Sequence, residues 1–144
     1  MPNWRDELLD AVKTKNEREA EEAAKQRQRV LEALTSAEEA LKLGVAALEF
    51  VKDRIAEKGQ NVTLTRDPPP AEGTEGGGRL VLGAHSIGVE LDRTTAILKV
   101  TFLEGKPREF DFARDRHIAP SDVEEYVGRR AVELVKNAQK AAPW

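Results

Sequence analysis

Residues Val30 to Ile55 read VLEALTSAEEALKLGVAALEFVKDRI. Within them Val30, Leu34, Ala37, Leu41, Gly44, Leu48, Val51 and Ile55 recur at alternating gaps of four and three. That spacing places all eight on one face of an α-helix and makes a continuous apolar seam. A seam of this length needs a cover. The chain supplies it downstream, where the period of the apolar residues drops from 3.6 to two.

Leu80 and Leu82 alternate with Val81, and Ile87, Val89 and Leu91 with Gly88, Glu90 and Asp92. Ala96, Leu98, Val100 and Phe102 follow the same rule, as do Phe110 and Phe112. The intervening Gly83–Ser86, Asp92-Arg93-Thr94 and Glu104-Gly105-Lys106-Pro107 are short and rich in turn formers. Short connections join antiparallel neighbours, so a meander of four strands is expected. Val62–Thr65 is a candidate fifth strand. Ser121 and Glu124 have capping-box spacing, and Asp122 suits the first turn of a last helix. Its inner face would be Val123, Val127, Ala131, Leu134, Val135 and Ala138. Gly44 and Gly128 are read as points of close approach between backbones. The fold class is therefore α+β, with two helices on the apolar face of one antiparallel sheet.

Working back from Val30, the pattern changes. From Thr14 to Arg29 there is no apolar stripe, only alanines among Lys15, Glu17, Arg18, Glu19, Glu21, Glu22, Lys25, Arg27 and Arg29. Helix propensity is high and nothing asks to be buried. Before this segment, Asn3 is an N-cap and Asp6 and Glu7 suit a helix's first turn. Trp4, Leu8, Leu9 and Val12 make a short apolar patch. A single helix over residues 3–57 would be about 80 Å long, against a radius of gyration near 15 Å for a compact chain of this size. Such a helix must protrude or break. Ser36 and Glu39 form one possible capping box, and Thr14–Asn16 is a second place for a break. The unbroken phase of the seam argues for continuity at Ser36. We read residues 1–29 as a charged helical arm and 30–144 as a two-layer domain. Residues 66–78, with Pro68-Pro69-Pro70 and Gly76-Gly77-Gly78, form an internal loop, stiff at its start and mobile at its end.

The 144 residues carry 23 basic and 26 acidic side chains, and no cysteine. Disulfides, thiolate metal sites and thiol nucleophiles are excluded. The signs are mixed, so no basic field attracts nucleic acid. The start of the chain lacks a basic, apolar secretory pattern, and no stretch is apolar enough to span a bilayer. A cytoplasmic protein is expected.

The glycine cluster runs into a strand and lacks the lysine-serine pair of a phosphate loop. His85 beside Ser86 is not a triad, which is built from distant segments. Asp111, Asp115 and His117 are suitable ligands for a divalent metal, but no standard spacing supports one and Arg114 and Arg116 flank them. No catalytic, cofactor or metal residue is assigned. Aromatic platforms for RNA are missing, because Phe102, Phe110 and Phe112 fall on the helix-covered side. Val81, Ile97 and Leu103 interrupt the polar outer face, and would mark a contact surface only if contiguous.

The remaining signal is the tip patch Trp4, Leu8, Leu9 and Val12, with tryptophan as an anchor residue. The expectation is a non-enzymatic interaction or assembly module that self-associates or docks a protein partner through its N-terminal helix. A dimeric coiled coil through the seam is a variant that would leave the sheet uncovered. The alternatives are a small enzyme or metal protein with its site near Asp111, Asp115 and His117, and a nucleic-acid accessory protein.

Overall fold

The computed structural model describes residues 3–103 and 105–144. Met1, Pro2 and Glu104 lie outside the described residues, so the expected Glu104–Pro107 turn is seen only from Gly105 onward. A short helix α1 (Trp4–Ala11) is followed by a 43-residue helix α2 (Lys15–Glu57). Five strands come next: β1 (Thr63–Arg66), β2 (Gly78–Leu82), β3 (His85–Asp92), β4 (Ile97–Phe102) and β5 (Arg108–Asp111). Helix α3 (Pro120–Ala141) ends the order. The sheet is an antiparallel meander in the order β1-β2-β3-β4-β5. The fifth strand that Val62–Thr65 suggested is present, shifted by one residue.

Helix α2 runs through Ser36 without interruption, as the phase of the seam required. At 1.5 Å per residue it is about 64 Å long. Val30, Ala37, Leu41, Gly44, Leu48 and Ile55 are buried, joined by Ala40 and Val45, while Leu34 and Val51 are half-buried. Glu57 is the last helical residue, and Gly59 then takes a left-handed φ of 77°, which glycine adopts without steric cost. Against the seam pack Leu80, Leu82, Ile87, Val89, Leu98, Val100, Phe110 and Phe112 from the sheet side, with Val123, Val127, Ala131 and Leu134 from α3. Burial of each large side chain contributes about 1.5–3 kcal/mol. Tyr126 meets Phe110 edge-on, with ring centres 5.6 Å apart, and so ties α3 to β5.

Three local expectations are corrected. Helix α3 starts two residues earlier than the Ser121–Glu124 spacing implied: Ala119 is its N-cap, Pro120 occupies the first turn, and the Asp122 carboxylate accepts from Ala119 N at 2.9 Å. Proline's fixed φ suits that position and its missing N–H costs nothing there. Ala96 belongs to the β3–β4 turn, not to a strand, with a left-handed φ of 58°. The two helical glycines do not admit a neighbouring backbone. A Cβ on Gly44 would touch the side chains of Val89, Val123 and Val127 at 3.5–3.7 Å, and one on Gly128 would meet nothing within 4 Å.

The segment between β1 and β2 is held to α2 rather than left loose. Arg66 Nη1 donates to Glu49 at 2.7 Å, and its Nη2 to Glu75 at 2.8 Å. Arg93, in the β3–β4 turn, donates to both carboxylate oxygens of Glu38 and to the carbonyl of Glu75 at 2.6 Å. Gly76, Gly77 and Gly78 are buried. A Cβ on Gly76 would lie 1.8 Å from the Asp67 carbonyl oxygen, and one on Gly77 2.3 Å from that of Val89. These glycines serve close packing, where composition had suggested looseness.

Candidate interaction surfaces

The N-terminal arm is built as two rigid rods with a pinned joint. Asn3 caps α1, its side chain accepting from Arg5 N at 3.2 Å. The helix stops at Ala11, and Val12 to Thr14 make the turn. Thr14 then opens α2 with a full capping box: its hydroxyl accepts from Glu17 N at 3.2 Å, and the Glu17 carboxylate from Thr14 N at 3.4 Å. Thr14-Lys15-Asn16-Glu17 carries the capping-box pattern, so the break was legible in the sequence without glycine or proline. Arg18 donates to the Asp10 carbonyl at 3.1 Å, and Lys13 bridges Glu21 at 2.7 Å and Asp10 at 3.5 Å. The hydrogen bond to Glu21, above all, holds the Lys13 ammonium above the ordinary lysine pKa.

Nothing in α1 is buried. Trp4, Leu8, Leu9 and Val12 are exposed to 65, 53, 64 and 64%. They lie within about 140° of one another around the helix, at 100° per residue. The Arg5 guanidinium stacks over the Trp4 ring at 5.4 Å. Every residue of α2 from Lys15 to Arg29 is also exposed. Among the described residues the first buried core side chain is Val30. The structure thus brings the four tip residues together as one apolar stripe, held away from the core.

A second apolar surface was missed by the sequence reading. On the side of α2 and α3 turned away from the sheet, Phe50 and Val132 are exposed to 60 and 52%. With Val51, Val135 and Trp144 they line a groove of about 400 Å³ between the two helices. Leu43, Ala46, Ala47 and Gly128 line a further hollow of this same face. The signal was present as doubled apolar positions in α2 (Leu43–Gly44, Ala47–Leu48, Phe50–Val51). A stripe doubled in this way is wider than one neighbouring layer can cover. The terminal Trp144 folds back onto this groove. Arg54, Lys58 and Lys136 stand at its edges, and Arg54 stacks over Phe50 at 4.9 Å.

The Asp111–His117 junction is organised differently. Asp111 accepts from Arg114 N at 3.0 Å and Asp115 from His117 N at 2.9 Å, so both carboxylates are engaged in shaping the turn. The adjoining hollow is lined by Arg29, Arg114 and Arg116 together with Asp115 and His117. Among the described residues no three His, Cys, Asp or Glu side chains are grouped to hold a metal ion. His85 begins β3 opposite Leu82, after a two-residue turn with Gly83 at φ 62°. On the outer sheet face Val81 lies beside Ser86, which accepts from Leu103 N at 2.8 Å on its other side, and Ile97 lies beside Asp92 at the opposite end of β3. Six residues of strand, about 20 Å, separate Ile97 from the Ser86 end, so the three do not form one continuous patch. No described helix is long and apolar enough to cross a membrane. In comparisons with protein-family models, curated proteins and solved structures, nothing matches this chain.

Proposed function

We propose that this protein is a non-enzymatic interaction or assembly module that works through its N-terminal helix, associating with itself or docking a protein partner. The observation that carries the reading is the stripe of Trp4, Leu8, Leu9 and Val12, exposed on a helix that buries nothing in its own chain. Four large apolar side chains on eight or nine residues of surface helix are costly to leave in water, and contiguous apolar surface of this kind marks contact sites. The pinned joint and the fifteen exposed residues that open α2 set the stripe away from the domain, where a partner has access. A cytoplasmic location and a homo-oligomeric state belong to the same reading.

The test is solution mass by light scattering, for the full chain and for a chain starting at Val30. The expected result is an assembly for the full chain and a folded monomer for the shortened one. Should both prove folded monomers, self-association is excluded and the tip remains for a foreign protein. Unfolding of the shortened chain would overturn the reading, because the arm would then belong to the core.

A further inference from the structure

We propose that the α1 stripe of one copy docks in the α2–α3 groove of a second copy, and that two such contacts, exchanged reciprocally, make a two-fold dimer. The inference rests on the association through α1 proposed above and names its receptor.

The groove lies around Phe50, and the α1–α2 joint lies at Thr14. Thirty-six residues of continuous helix, about 54 Å, separate them. The three-residue joint spans about 10 Å at most and α1 itself about 12 Å. The tip of a chain therefore falls short of its own groove by roughly 30 Å. An antiparallel second copy removes the difficulty, since it sets the groove end of its α2 beside the arm of the first.

Around α1, Asp6 and Glu7 each stand about 60° outside the apolar stripe, one on either side. Neither forms an ion pair among the described residues. Arg54 of α2, Lys58 just beyond it and Lys136 of α3 stand on the lips of the groove; Arg54 is paired with Glu57 at 3.1 Å, and Lys58 and Lys136 form no ion pair among the described residues. Asp6 and Glu7 on the flanks of the ridge thus complement Lys58 and Lys136 on the lips of the trough, while Arg5, which lies within the arc of the stripe and stacks over Trp4, is a cation with no counterpart there.

The four exposed side chains present on the order of 400 Å². Complete burial of these side chains against an equal area of groove, repeated by the two-fold, sets a ceiling of roughly 1,600 Å² on the total, within the range of a stable interface.

The experiment measures mass by native mass spectrometry and sedimentation on the full chain, on Leu8→Glu and on Val132→Glu, and on an equimolar mixture of the two variants. Both sites are exposed, and far-UV circular dichroism checks that each variant is folded. Lys136→Glu repeats the groove arm of the test by charge reversal without touching apolar packing. The expected result is a wild-type dimer, both apolar variants weakened about 30-fold or more, and a heterodimer in the mixture. In that heterodimer the intact arm of the Val132→Glu chain meets the intact groove of the Leu8→Glu chain. A wild-type dimer that Leu8→Glu dissociates but Val132→Glu and Lys136→Glu do not would overturn the groove and leave association through α1 standing. A dimer untouched by Leu8→Glu would overturn both. A monomeric wild-type chain would overturn the reciprocal exchange and leave α1 only a foreign partner.

Discussion

Leu48 and Leu8 are both leucines on amphipathic helices, and the structure gives them opposite fates. Leu48 is 0% exposed, at the centre of the seam between the sheet and α3, while Leu8 is 53% exposed on α1. Leu48→Ala removes three buried carbons and leaves a cavity that rigid neighbours fill only in part. The cost of such a change is about 2–5 kcal/mol. Taking ~3 kcal/mol for a domain of this size, the melting temperature falls by roughly 10 °C, and the urea midpoint by about 1–2 M. Leu8→Ala removes the same atoms from water, so the dilute chain changes by no more than about 0.5 kcal/mol. The assay is urea unfolding followed by far-UV circular dichroism, at two protein concentrations a hundredfold apart. Association links stability to concentration, so any cost of Leu8→Ala is confined to the concentrated sample. A cost for Leu8→Ala that matches Leu48→Ala and persists on dilution would refute the claim that the core begins at Val30.

In thermal melts of the dilute protein, Gly44→Ala and Gly128→Ala raise stability by up to about 1 kcal/mol each, because a helical alanine costs less backbone entropy and the Cβ has room; Gly76→Ala lowers it by ~2 kcal/mol or more, since its Cβ would strike the Asp67 carbonyl. Arg93→Ala releases Glu38 and the Glu75 carbonyl, costs about 1 kcal/mol once partial solvent exposure is allowed for, and speeds limited proteolysis between Asp67 and Gly76; unchanged cleavage would show that Arg93 does not tether the loop. Asp92 accepts from the Thr94 hydroxyl at 2.6 Å and from Thr94 N at 2.9 Å, which holds its carboxyl below the ordinary aspartate value, with Lys99 assisting. A lowered native pKa means a contribution that is present above the ordinary carboxylate range and lost as pH falls through the lowered value, so Asp92→Asn lowers stability at neutral pH and the difference from the unchanged chain shrinks in acid, as read by urea unfolding across pH; a difference that does not depend on pH would refute the role of the charge.

Much of the architecture is local in origin and therefore readable from the chain. The four-three gaps of Val30–Ile55 specify a helix face whatever it packs against, and their phase carried α2 through Ser36 despite a capping signal there. The period of two from Leu80 to Phe112 specifies strands, and their short connections specify antiparallel neighbours. The apolar patch of Trp4, Leu8, Leu9 and Val12 is likewise visible from spacing alone. What spacing does not contain is the far side of each residue. Gly76 and Gly77 look like a flexible tract by composition, and only the approach of Asp67 and Val89 shows that a Cβ would not fit. Arg66 and Arg93 read as solvated charges until folding places Glu38, Glu49 and Glu75 beside them, from 9 to 55 residues away in sequence. The α2–α3 groove exists only because two helices distant in sequence lie side by side and the sheet covers one face of the pair. Periodicity reports how residues are arranged on one element, set by short-range backbone geometry. Exposure of Phe50 and Val132, and the roughly 54 Å that keeps α1 from their groove, are set by where the other elements come to rest.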